Sequence, residues 1–266
     1  MEKITLTQAQ LGQVQKLELE LLLEVDRICR KHQLKYSLGY GTLLGAIRHG
    51  GFIPWDDDVD ILMLREDYER FKVICQSELN RDKYFYQSQE TDANYWYLFN
   101  KIRINQTVFK EAALAHHEIH HGLYLDIFPL DYLPAKKYQG VQIQLCRNIL
   151  MAKYVNLQAR TGVKKLAARL MRLVFWQSKL AKLAFKTQQL AQQCSHGEFV
   201  GVLGYPEVFS YREVTEVIDW EFSGYQLSVF KHYDQILTTT YGNYWAWPNE
   251  DERKTRHEVV KLKILF

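Results

Sequence analysis

Residues 36–70, YSLGYGTLLGAIRHGGFIPWDDDVDILMLREDYER, decide how the rest of the chain is placed. Asp56, Asp57, Asp58 and Asp60 run into the apolar Ile61-Leu62-Met63-Leu64, which has the composition of a buried strand. Side chains alternate along a strand, so Asp58 and Asp60 share a face, and Asp56 joins them if the extended conformation begins after Pro54. Carboxylates crowded at the edge of a core repel, and they either take up protons or recruit a cation. Mg²⁺ or Mn²⁺, hard ions with oxygen ligands, are the cofactors this pattern implies. Upstream, residues 36–41 read as a short strand breaking into a glycine turn, and residues 42–48 as a helix opening there. Gly41 and Thr42 would then offer backbone and hydroxyl donors to a phosphate beside the metal site. The alternative, a solvated aspartate turn, accounts for the aspartates but not for the elements that flank them.

Three other motifs compete with this reading. Gly39, Gly41 and Gly45 follow a strand, but their spacing is GxGxxxG rather than the GxGxxG of dinucleotide sites. Asp56, Asp58 and Asp60 match the first ligands of a calcium loop, yet the required glycine is Ile61 and the closing glutamate is Asp67. His117-Glu118-Ile119-His120-His121 satisfies HExxH, but Gly122 and a strand-like run follow at once and leave too little helix for a zinc protease site.

Outward from the centre, residues 8–32 carry Leu11, Val14, Leu17, Leu21, Val25 and Ile28 at helical spacing, and residues 65–79 repeat the pattern with Tyr68, Phe71, Ile74 and Leu79. Residues 97–104 read as a strand with Lys101 and Arg103 on one face, placed to meet phosphate. In the strand 123–128, Asp126 is a carboxylate in apolar surroundings, a cost that a partner, a metal or a role as base would explain. Asp131, past Pro129, is expected to brace the turn that follows. A strand-turn-strand around Gly224, a helix over 232–241 stopped by Gly242, and a corner of Tyr241, Tyr244, Trp245 and Trp247 complete the C-terminal part.

At 266 residues and 47% hydrophobic composition, the chain can bury the core of one domain with an appended subdomain. The net charge of +3 conceals a segregation, because residues 136–197 hold twelve Lys and Arg and no acidic residue, leaving 22 basic against 31 acidic elsewhere. That basic helical segment, with Trp176 and Leu183 amid its cations, suits anionic lipid or a polyanionic acceptor. The four cysteines are scattered without a CxxC pair, and no signal segment or membrane-length apolar run is present. The expectation is a cytoplasmic protein, peripheral on the inner face of the membrane. Nucleic acid is not an expected partner.

GTLLGAIRHGGFIPWDDDVDI, KIRINQT, HHGLYLDIFPLD and the C-terminal YGNYW…P…R…H resemble the LicD family, similar in its core to the fukutin-type phosphotransferases, over residues 17–257. The likeness is weakest over 138–198. It implies an α+β, nucleotidyltransferase-like mixed sheet flanked by helices with an inserted basic helical subdomain: a catalytic core over 1–135, the insertion over 136–197, and residues 198–266 completing the core. It also implies metal-dependent transfer of a phospho-alcohol, typically phosphocholine from CDP-choline, to a hydroxyl of a glycan or lipid-linked glycan, with CMP released. The expected roles are Asp58, Asp60 and Asp126 for metal, Lys101 with these for catalysis, and Gly41, Thr42, Arg48, Asp56, Arg103 and His257 for the nucleotide. CDP-glycerol or CDP-ribitol remains an open donor, with Trp55, Tyr95, Trp96 and Tyr97 as candidates for a choline cage. A non-catalytic, membrane-docking scaffold is the alternative of another class.

Overall fold

The computed structural model describes residues 2–133 and 196–265, apart from scattered positions between them. The basic segment expected to form a helical insertion, with Trp176 and Leu183, lies outside the described residues.

Helix α1 (Gln8–Lys31) starts at a capping box between Thr7 and Gln10, and it buries the stripe from Leu11 to Ile28. The chain then enters β1 (Ser37–Leu38), turns through Gly39 into α2 (Tyr40–His49), and leaves that helix at Gly50 in the left-handed region, φ 67°. Strand β2 (Asp60–Leu64) passes directly into α3 (Arg65–Glu78), whose first turn holds Glu66 and Asp67 against the positive helix end. Next come β3 (Tyr84–Gln87), β4 (Asn100–Ile104), β5 (Thr107–Glu111) and β6 (Tyr124–Tyr132). The C-terminal part supplies β7 (Phe199–Gly201), β8 (Phe209–Ser210), the hairpin β9 (Val217–Phe222) and β10 (Tyr225–Phe230), helix α4 (Tyr233–Tyr241), and β11 (Val259–Ile264).

The result is α+β. One mixed sheet runs β1-β2-β6-β4-β3, with β7 continuing along the end of β6 and β8 beside β7. Among the described residues, β2 and β6 are the one parallel pair; the other pairs are antiparallel. The pairs β9–β10 and β5–β11 form separate two-stranded ribbons. Helices α1 and α3 pack against the central strands, where Ile61, Ile102 and Ile127 are fully buried. Alternation then turns Asp60, Lys101 and Asp126 to the opposite face.

Two strands differ from their sequence expectation, for identifiable reasons. Strand β4 begins only at Asn100, because side chains occupy the preceding carbonyls: Gln89 donates to Tyr97 O and Tyr95 to Phe99 O. Strand β6 runs through Pro129 to Tyr132, where a turn was expected. Pro129 is tolerated because β4 has already ended opposite Ile127 and β7 does not begin until Asp131. Asp131 therefore braces no turn. It is buried within the strand and receives a bidentate pair from Arg65, both contacts at 2.7 Å.

Candidate active site

The register of three strands builds the site. Asp60 of β2 lies beside Asp126 of β6, and Asp126 lies beside Lys101 of β4, so the three side chains form one rung across the sheet. Residues 56–59 lead into β2, with Val59 O already accepting from Asp126 N at 2.8 Å, and keep the alternation. Asp56, Asp58 and Asp60 line a cleft of about 360 Å³, while Asp57 turns away and is fully buried. The same cleft is lined by Gly41, Lys101, Glu111, Tyr124, Asp126 and His257.

Close approach at the start of α2 depends on Gly41. A Cβ there would stand 2.5 Å from Asp56 Oδ2, so glycine lets the helix end meet that carboxylate. Thr42 does not line the cleft; its hydroxyl accepts from the backbone N–H of Asp60 at 2.9 Å and fixes the start of β2.

His257 precedes β11 and is held through both ring nitrogens, by Asp57 Oδ1 at 3.1 Å and the Tyr124 hydroxyl at 3.1 Å. Burial opposes its charge, but the bond to Asp57 and the nearby Asp58 and Glu111 outweigh burial and lift its pKa to about 10. Burial likewise pushes Glu111 up, yet Lys101, His257 and Arg103 hold its carboxyl below the ordinary value.

The aspartates of the cleft, unlike Glu111, shift upward. Desolvation, with the charge of Asp58, drives Asp56 up to about 8, and desolvation raises Asp60 well above its usual range. Asp58 is raised by burial and Asp57, against the pull of His257 and Lys101. Burial raises Asp126 to about 6, and the rise is limited by Lys101, whose Nζ lies 2.6 Å from Oδ1 and 2.9 Å from Oδ2. These oxygen donors, partly out of water and underneutralised, fit a hard divalent cation. Asp57, Asp58 and His257 form the one group among the described residues whose ligand atoms all lie within 4.8 Å of one another. With His257 charged, that group is already ion-paired, and a cation would enter it only as the imidazolium lost its proton. Asp58, Asp60 and Asp126, the set the sequence pointed to, form no group that compact.

Besides Thr42, two residues expected at the nucleotide do not line the cleft. Arg48 donates to the carbonyls of Tyr244 and Ala246 and sits 5.6 Å from the Trp247 ring, which anchors the C-terminal corner. Arg103 is buried beneath the cleft, donating to Gln87 Oε1 and Gly122 O and stacking 4.6 Å from Tyr124. Of the proposed cage residues, Tyr97 lines the cleft, Tyr95 is fully buried and Trp55 packs with Trp247. In the HExxH run, His120 accepts from Gly122 N and pairs with Asn105, while His121 bonds the His117 carbonyl. Sequence reasoning missed Asp57, Glu111, Arg256, Tyr40, Tyr205 and Glu207. Only Asp57, Arg256 and Tyr40, each adjoining a residue already singled out, carried any local signal.

Comparison with known proteins follows the same outline. Residues 33–142 match the family model described as LicD/FKTN/FKRP, nucleotidyltransferase domain. Over 274 aligned residues, 97% of each chain, the sequence is 28% identical to the lipopolysaccharide cholinephosphotransferase LicD of Haemophilus influenzae. It is also 44% identical over 55 residues to an uncharacterised protein of Rickettsia typhi, covering 21% of this chain and 18% of that one. A second uncharacterised protein, from Rickettsia prowazekii, is 46% identical over 48 residues, 18% of each chain.

Proposed function

The chain carries a LicD-family domain, and from that premise we propose that it is a phosphotransferase with a nucleotidyltransferase-like core, moving phosphocholine from CDP-choline to a hydroxyl of a cell-surface glycan. The observation that carries this reading is the rung of Asp60, Asp126 and Lys101, two carboxylates and a fixed cation side by side at the floor of a cleft.

Asp58 and Asp60, with Asp126 adjoining, would hold Mg²⁺ or Mn²⁺, which when bound neutralises the diphosphate and polarises the transferring phosphoryl group. Asp126 is tied to Lys101 and titrates at about 6, so it is suited to accept the proton of the acceptor hydroxyl. As that oxygen bonds to the phosphorus carrying the alcohol, the bond to the CMP oxygen breaks and CMP leaves with the electron pair. Lys101 stabilises the charge that develops during transfer, while Arg256 and the imidazolium of His257 face the diphosphate from the cleft wall. Asp57 holds His257 in place. The basic segment 136–197 would steer a polyanionic, lipid-linked acceptor.

The test is CMP release from CDP-choline, CDP-glycerol and CDP-ribitol, with Mg²⁺ or with EDTA. Metal-dependent release by the wild type, lost in Asp58→Asn, is the expected result. A non-catalytic scaffold predicts no release and no cytidine-nucleotide binding in a thermal-shift assay.

A further inference from the structure

One step along the sheet from the carboxylate rung, the chemistry changes. Phe128 follows Asp126 by two residues on β6, Phe99 precedes Lys101 by two on the approach to β4, and their rings lie 4.3 Å apart at the cleft wall. Tyr40 opens α2 in the left-handed region, φ 42°, a strained conformation for a tyrosine, and sets its ring edge-on to Phe128 at 5.3 Å. The loop between β7 and β8 brings Tyr205 to 5.8 Å from Tyr40 and 5.7 Å from Phe128. Gly201 lets this loop close, since a Cβ there would stand 2.7 Å from the Glu207 carbonyl. Glu207 also lines the cleft, and its Oε2 is sealed from solvent without a hydrogen-bond partner.

An aromatic wall beside a carboxylate with one oxygen out of water and without a hydrogen-bond partner matches one ligand chemistry best. Ring faces attract cations through their quadrupoles, and a buried carboxylate needs positive charge or donors. A trimethylammonium group has no N–H to satisfy, packs its methyls on the rings and offsets the carboxylate by charge alone. A polyol would find polar partners in Glu207 and the tyrosine hydroxyls, Tyr40 Oη among them without a partner, but it would gain nothing from the ring faces of Phe99 and Phe128. We propose that Phe99, Phe128, Tyr40, Tyr205 and Glu207 form a quaternary-ammonium subsite that selects choline over a polyol as the transferred alcohol. This deepens the phosphotransferase reading and rests on it: the phosphoryl group would lie at the carboxylate rung, with the alcohol extending over the next rung.

The test compares kcat and KM for CDP-choline and CDP-ribitol in wild type, Glu207→Gln, Tyr205→Leu and Tyr205→Phe. The expected result is a wild-type preference for CDP-choline. KM for CDP-choline should rise about tenfold in Glu207→Gln and Tyr205→Leu, with little change for CDP-ribitol, and Tyr205→Phe should stay near wild type. A wild-type preference for CDP-ribitol, or an unchanged choline-to-ribitol ratio in both Glu207→Gln and Tyr205→Leu, overturns the subsite. Saturation-transfer NMR with choline alone decides it independently of turnover. Saturated methyl signals in the wild type that weaken in Glu207→Gln support the subsite even if no donor is consumed, in which case the phosphotransferase reading fails by itself. No methyl contact in the wild type removes the subsite whatever the kinetics.

Discussion

Asp56 and Asp60 are acids whose protons the fold holds on to. For a carboxyl raised from 3.8 to about 8, as Asp56 is, the folded state binds its proton more tightly than the unfolded chain does. Its destabilising effect is absent below about pH 4 and grows as pH rises towards 8. His257, raised from 6.5 to about 10, has the opposite sign: its contribution is full below the unfolded value and is lost only as pH approaches 10. Metal-free protein should therefore melt lower at pH 8 than at pH 5, and Mg²⁺ should raise Tm more at pH 8, where protons compete with it less. Calorimetry with EDTA and with Mg²⁺ at both pH values checks this, and an equal metal effect at the two pH values would count against a cation at these carboxylates. Asp60→Asn should lower turnover at least about a hundredfold while leaving Tm equal or higher, because the amide is uncharged like the protonated acid that the fold favours. At this scale the sequence was informative where alternation within one strand sufficed, as for Asp58 and Asp60. It was silent on Glu111 and Glu207, because pairing between distant strands and the path of a loop bring them to the cleft.

Among elements, β6 depends on a contact that single-strand reasoning could not supply. Asp131 is 1% exposed and held by Arg65 from the first turn of α3, so Asp131→Asn removes its buried bidentate partner and leaves the guanidinium only the more exposed Glu69 as a carboxylate partner, at 3.0 Å. The expected cost is about 3 kcal/mol in urea denaturation, with turnover per folded molecule unchanged. Arg103→Ala should likewise destabilise, since the guanidinium is 1% exposed and bridges β4 to the Gly122 carbonyl and Gln87. Stability intact with a raised donor KM in that variant would restore its assignment to phosphate. Gly41→Ala should lose activity by about tenfold or more, because the added methyl meets Asp56 and must displace either the carboxylate or the helix end. The long helices, with their regular apolar stripes, were legible to within a residue or two. The start of β4 was not, because side chains intercept its carbonyls.

For the whole molecule, the C-terminal residues return to complete what the first half begins. Strand β7 pairs with the end of β6, β11 pairs with β5, and His257, about two hundred residues from Asp57, locks onto it. No described helix is long and apolar enough to cross a membrane. If the basic segment 136–197 carries the contact with an anionic acceptor, the protein should co-sediment with anionic vesicles at low salt and release at about 0.5 M, where screening shortens the reach of charge to a few ångströms. The measurement that bears most directly on the account is ³¹P NMR of the purified protein with CDP-choline, Mg²⁺ and a lipopolysaccharide acceptor. The account predicts CMP and a new phosphodiester signal growing together, both absent with EDTA and in Asp60→Asn. CMP and phosphodiester formation that persists unchanged in Asp60→Asn would contradict it.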